Sequence, residues 1–136
     1  MRILLAALVR VALMGVALAA YYAALPTLFP DDGGGANIGA GLIAFGALVL
    51  ISFGWSTFDG RVQGFAPASI IWAIVAAIVS IGWLVALAVA EADASMSVAE
   101  FIRNDLGTLP FTAGLVLAPA LVGALIGHAL RPSQDR

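Results

Sequence analysis

From Ala66 to Ala90 the chain carries no charged side chain, and three further stretches come close to that condition. Ile38 to Phe58 has none, Ile3 to Phe29 has only Arg10, and Leu109 to Leu130 has only the titratable His128. A helix needs about 20 apolar residues to cross roughly 30 Å of hydrocarbon. Each stretch is long enough. Inside lipid no water is available to bond the peptide groups, so a spanning segment must pair them internally, and helix is the conformation that does this. Composition agrees: 62% of the 136 residues are hydrophobic and 10% are charged, whereas soluble domains carry about 25% charged residues. The expectation is an all-α, four-helix transmembrane bundle, with residues 1–136 forming a single integral membrane domain.

The connections predict how these spans run. Pro30-Asp31-Asp32-Gly33-Gly34-Gly35 reads as a turn, Asp59-Gly60-Arg61-Val62-Gln63-Gly64 as another, and Glu91 to Thr108 as a longer link. Short links favour antiparallel neighbours, hence an up-down bundle. With the N-terminus in the cytoplasm, Arg2, Arg10, Arg61, Arg131 and Arg136 all fall on the cytoplasmic side and only Arg103 falls outside. The positive-inside rule therefore puts both termini in the cytoplasm. The reading is a multi-pass protein of the cell inner (plasma) membrane. The absence of lysine, with much Ala, Gly and Val, suggests a GC-rich bacterial origin.

The first span leaves two questions open. Arg2, Arg10 and the Ala17-Leu18-Ala19 triplet resemble a cleavable signal peptide. Hydrophobicity continues to Phe29, which favours a retained span. Arg10 has two places available. Val11 to Phe29 can cross alone, leaving Arg10 to snorkel at the interface. Otherwise Arg10 faces the bundle, where an ionisable side chain marks a function. The interfacial placement is preferred, because no acidic residue lies within the four spans as drawn.

Lipid tails are as apolar as leucine, so such helices associate by close packing of small residues. Gly35 and Gly39 open the second span in GxxxG spacing, Gly82 and Ala86 lie four apart in the third, and Gly123 and Gly127 in the fourth. These are the candidate helix-packing positions. Pro119 falls within the fourth span and predicts a kink. Trp55, Phe58 and Phe65 at the cytoplasmic turn, with Tyr21, Tyr22 and Trp83 toward the outer face, fit aromatic belts. Trp72 lies deeper and is read as packing.

Polar chemistry is sparse. Ser52, Ser56, Ser80 and Thr112 are the candidate lining of a polar route, although hydroxyls in spans also bond back to their own helix. In the third, outer loop, Ser97-Val98-Ala99-Glu100 has the form of a capping box. It predicts a short amphipathic helix with Val98, Phe101, Ile102 and Leu106 on one face and Gly107 as its stop. The turn Asp32-Gly33-Gly34-Gly35-Ala36-Asn37 lacks the ending of a phosphate loop.

There is no cysteine and a single histidine. Thiol chemistry, iron–sulfur clusters and multi-histidine metal sites are therefore excluded, and no catalytic residue, cofactor or metal is expected. A net charge of −2 offers nothing to nucleic acid. The functional expectation is a non-enzymatic accessory or structural subunit of a membrane assembly, its partners the lipid bilayer and a membrane protein or a second copy of itself. The alternative is a small channel or carrier for an uncharged or weakly charged solute.

Overall fold

The computed structural model of the chain describes residues 2–28, 35–91 and 96–131. Five α-helices follow one another: α1 Arg2–Leu28, α2 Gly35–Gln63, α3 Phe65–Glu91, α4 Val98–Asp105 and α5 Leu109–Ala129. No strand occurs among the described residues. Four helices are long and apolar enough to cross a membrane. At about 1.5 Å per residue, the 29 residues of α2 extend roughly 43 Å. That exceeds the hydrocarbon thickness, so the ends of such a helix reach the interface.

α3 is the centre of the bundle, with packing against α1, α2, α4 and α5. Ile71, Trp72, Val75 and Ala76 of α3 form the core with Ala7 and Met14 of α1, Leu48 of α2, and Val116 and Ala120 of α5. The buried residues recur at three- and four-residue intervals, as in Ala40, Ala44, Leu48, Ser52, Ser56 and Asp59 along α2. This is the spacing of one helix face. Near the beginning of α2, a chain of aromatic rings links the four long helices. Tyr21 packs on Tyr22, Tyr22 on Trp83, Trp83 on Phe45, and Phe45 on Phe111, with centroids 5.5 to 6.3 Å apart.

Two local expectations need correction. The turn expected at residues 59–64 shrinks to Gly64, because α2 runs on through Gln63. Gly64 has φ +94°, a left-handed conformation that ends α2, and its N–H donates to Gly60 O at 3.0 Å. Its carbonyl then accepts from Ala68 N, so one residue closes one helix and opens the next. Gly107 does not stop the chain's helical path. It lies in a 3₁₀ turn, Leu106–Thr108, that leads directly into α5. Pro119 lies within α5.

Ser97 and Glu100 cap α4 reciprocally: Glu100 N–H donates to Ser97 Oγ, and Ser97 N–H donates to Glu100 Oε2 at 2.9 Å. The hydrogen bonds from Ser97 hold the Glu100 carboxyl below the usual carboxylate range. Phe101 and Ile102 are half-buried, while Glu100, Arg103 and Asn104 are exposed. The proposed turn at Asp31 and Asp32 lies outside the described residues.

Candidate functional site: a buried ion pair between the helices

Extending α2 past Phe58 places Asp59 on the buried face that Ser52 and Ser56 already occupy. Asp59 is 1% exposed and Arg10, one helix away on α1, is 7% exposed. Arg10 Nε donates to Asp59 Oδ2 at 2.9 Å, and Arg10 Nη2 donates to Asp59 Oδ1, so the guanidinium grips the carboxylate with two parallel bonds. Trp72 of α3 donates its indole Nε1–H to Asp59 Oδ2 at 2.9 Å. Gln63, one turn on along α2, lies 3.4 Å from Oδ1. Arg10 Nη1 donates to Ala6 O at 2.6 Å.

The charge is enclosed by aromatic rings as well. The Arg10 guanidinium lies 5.1 Å from the centre of the Trp55 ring, within the range in which a cation is attracted to an indole face. Trp55 packs edge-on against Trp72 with centroids 6.4 Å apart. Asp59 stands one turn from the C-terminal end of α2, where the helix dipole opposes a carboxylate, and Arg10 supplies the compensating charge. Three helices meet at this one carboxylate, so the cluster acts as a polar clamp on α1, α2 and α3.

Arg10 therefore faces the bundle and pairs there with Asp59, which corrects the expectation that it snorkels outward. About 12 Å along the helix axis separates it from Arg2. Asp59 was missed as that partner because the second span was drawn to end one residue before it. The signal was present: Ser52, Ser56 and Asp59 repeat at the four- and three-residue steps of one helix face. Trp72, expected to serve packing alone, also holds a polar bond.

The candidate packing glycines divide into two groups. A Cβ on Gly127 would collide with Thr57 O, and one on Gly123 would collide with Phe53 O and Ser56 Oγ. Gly60 meets the Ala124 backbone in the same way. Here α2 and α5 approach backbone to backbone. Gly39 and Gly82 have nothing within 4 Å of a Cβ, and Ala86 is exposed. Among the described residues, none of these three marks a backbone-to-backbone approach of the kind seen between α2 and α5. The surroundings of Gly35, the first residue of α2, lie outside the described residues.

Ser52, Ser56, Ser80 and Thr112 are all buried. Ser56 donates to Phe53 O at 3.0 Å, Ser80 to Ala77 O at 3.1 Å, and Thr112 to Thr108 O at 3.0 Å, each within its own helix. Ser52 Oγ has no partner. None of the four lines the groove between α1 and α2, which is bounded by apolar residues and Tyr21 and holds about 380 Å³, counting the space at its mouth. Among the described residues no group of three or more His, Asp or Glu side chains is placed to hold a metal ion.

Compared with known proteins, the chain matches no family model, no curated protein and no solved structure.

Proposed function

We propose that this chain is a non-enzymatic subunit of a bacterial plasma-membrane assembly, packing laterally against a second membrane protein or another copy of itself. Its four spans run up and down with both termini in the cytoplasm, and α4 lies along the outer surface. The observation that carries the reading is the outward pair Gly82 and Ala86 on α3. They lie four residues apart on one face, exposed, and Gly82 has nothing within 4 Å of a Cβ. In lipid, small residues at this spacing let another helix approach closely, and packing rather than hydrophobic burial drives association.

The interior supports the same reading. The buried Arg10–Asp59 pair is satisfied within the chain, and three of the four buried hydroxyls named above bond to their own helices. These groups hold the fold and leave the outer faces for recognition.

The test is recovery of the tagged chain from native membranes in mild detergent, with the co-purifying proteins identified and their stoichiometry measured. A stoichiometric membrane partner or a defined homo-oligomer is expected, and Gly82→Leu should release it while helicity by circular dichroism stays unchanged. Recovery of a stable monomer with no partner would overturn the proposal.

A further inference from the structure

The end of the bundle where α2 gives way to α3 and where α5 finishes is exposed and cationic. Arg61, His128 and Arg131 are all exposed there, and Arg2 begins α1 at the same end. The only acid described at this end is Asp59, which is buried and committed to Arg10.

Arg131 is held in place. Its Nε donates to Arg61 O at 3.1 Å and its Nη2 to Val62 O at 2.9 Å, so it caps the last carbonyls of α2. These two bonds leave Nη1 directed elsewhere. Nη1 lies 2.7 Å from the point where a Cβ on Gly64 would stand, and His128 Nδ1 lies 3.9 Å from that same point. Because Gly64 has no side chain, the Arg131 guanidinium packs directly over it and covers the buried glycine, with His128 Nδ1 beside it. The first turn of α3, with its unpaired N–H groups, starts beside them. Span ends lie at headgroup depth, so the anion available to such donors is a lipid phosphate.

We propose that Arg131, His128 and Arg61 form a binding site for the phosphate of an anionic phospholipid headgroup. An oxygen of that phosphate bridges the exposed sides of the adjacent Arg131 and His128 side chains. The inference rests on this end of the bundle lying at the membrane surface and is independent of whether the chain has a protein partner.

The experiment uses the purified full chain in nanodiscs made from equal amounts of phosphatidylcholine and phosphatidylglycerol of matched acyl chains, with retained lipid counted by native mass spectrometry. Preferential retention of phosphatidylglycerol is expected. Arg131→Gln should lower that preference roughly fivefold, His128→Gln should lower it measurably, and Arg103→Gln, on α4, should leave it unchanged. His128→Gln is the decisive variant, because the Arg131 cap on α2 survives it. Equal retention of the two lipids overturns the site, as does an unaltered preference in folded His128→Gln protein. Glycerol phosphate binding equally well to the chain in pure phosphatidylcholine would overturn the assignment to a lipid. Protein partners play no part in this readout, so it fails or succeeds separately from the assembly proposal.

Discussion

α2 is joined to two of its neighbours, α5 and α1, by opposite means. Against α5 it packs along a seam where Gly60, Gly123 and Gly127 leave no side chain of their own to hold the backbones apart. Against α1 it touches mainly near two places. The Arg10–Asp59 pair closes one end, and Tyr21 OH donates to Ala40 O at 2.8 Å at the other, with an apolar groove between them. The first contact is continuous and depends on shape. The second is discontinuous and depends on a few polar bonds. In lipid both strategies work, because dispersion and hydrogen bonding replace the hydrophobic drive that water would supply.

The largest effect should come from breaking the charge pair on one side only. Asp59→Ala leaves the Arg10 guanidinium buried without its anion, at a cost of about 3–5 kcal/mol. Thermal unfolding in detergent, followed by circular dichroism, measures it. The double replacement Arg10→Leu with Asp59→Leu should recover most of that loss, since an apolar pair carries no desolvation penalty. If the double variant is no better than the single one, the pair does more than clamp α1 to α2.

The glycine seam should behave in the opposite way. Gly127→Ala puts a methyl group against Thr57 O, where neither backbone can yield without separating the helices, and costs about 1–3 kcal/mol. No second substitution on α2 should rescue it, because the obstruction is a carbonyl and not a side chain. Rescue by trimming Thr57 to Ala would show that the obstruction is the side chain instead. A suppressor screen by the same unfolding assay decides the matter.

The smallest effect is expected at the far end of the α1–α2 contact. Tyr21→Phe removes one interhelical hydrogen bond, worth about 0.6 kcal/mol in a membrane protein. The unfolding midpoint should shift slightly, and the Arg10–Asp59 clamp should keep α1 in place. A loss comparable to that of Asp59→Ala would mean that the two polar bonds close the groove cooperatively.

Much of this comparison was legible in the residues themselves. Gly123 and Gly127 announce a close helix approach by their four-residue spacing, and the structure places α2 there. Gly39 and Gly82 announce the same thing, yet among the described residues nothing stands within 4 Å of a Cβ on either. Spacing states that a face permits close contact and is silent about which helix arrives. The bounds of α1, α3 and α5 likewise follow from hydropathy to within a residue or so, whereas that of α2 does not. A hydropathy reading stops a span at the first charge, and Asp59 is a charge that the helix carries inside.

What the sequence by itself determined is that there are four apolar helices suited to a membrane, because 62% hydrophobic content and long uncharged stretches leave the peptide groups no other way to be paired. The spacing of small residues also marked out faces able to pack closely. Only the tertiary structure decided that Arg10 and Asp59 belong together, 49 residues apart in the chain. Each alone is a costly charge that sequence logic assigns to the interface. Their mutual approach offsets the cost of desolvation, and that approach exists only once α1, α2 and α3 have packed.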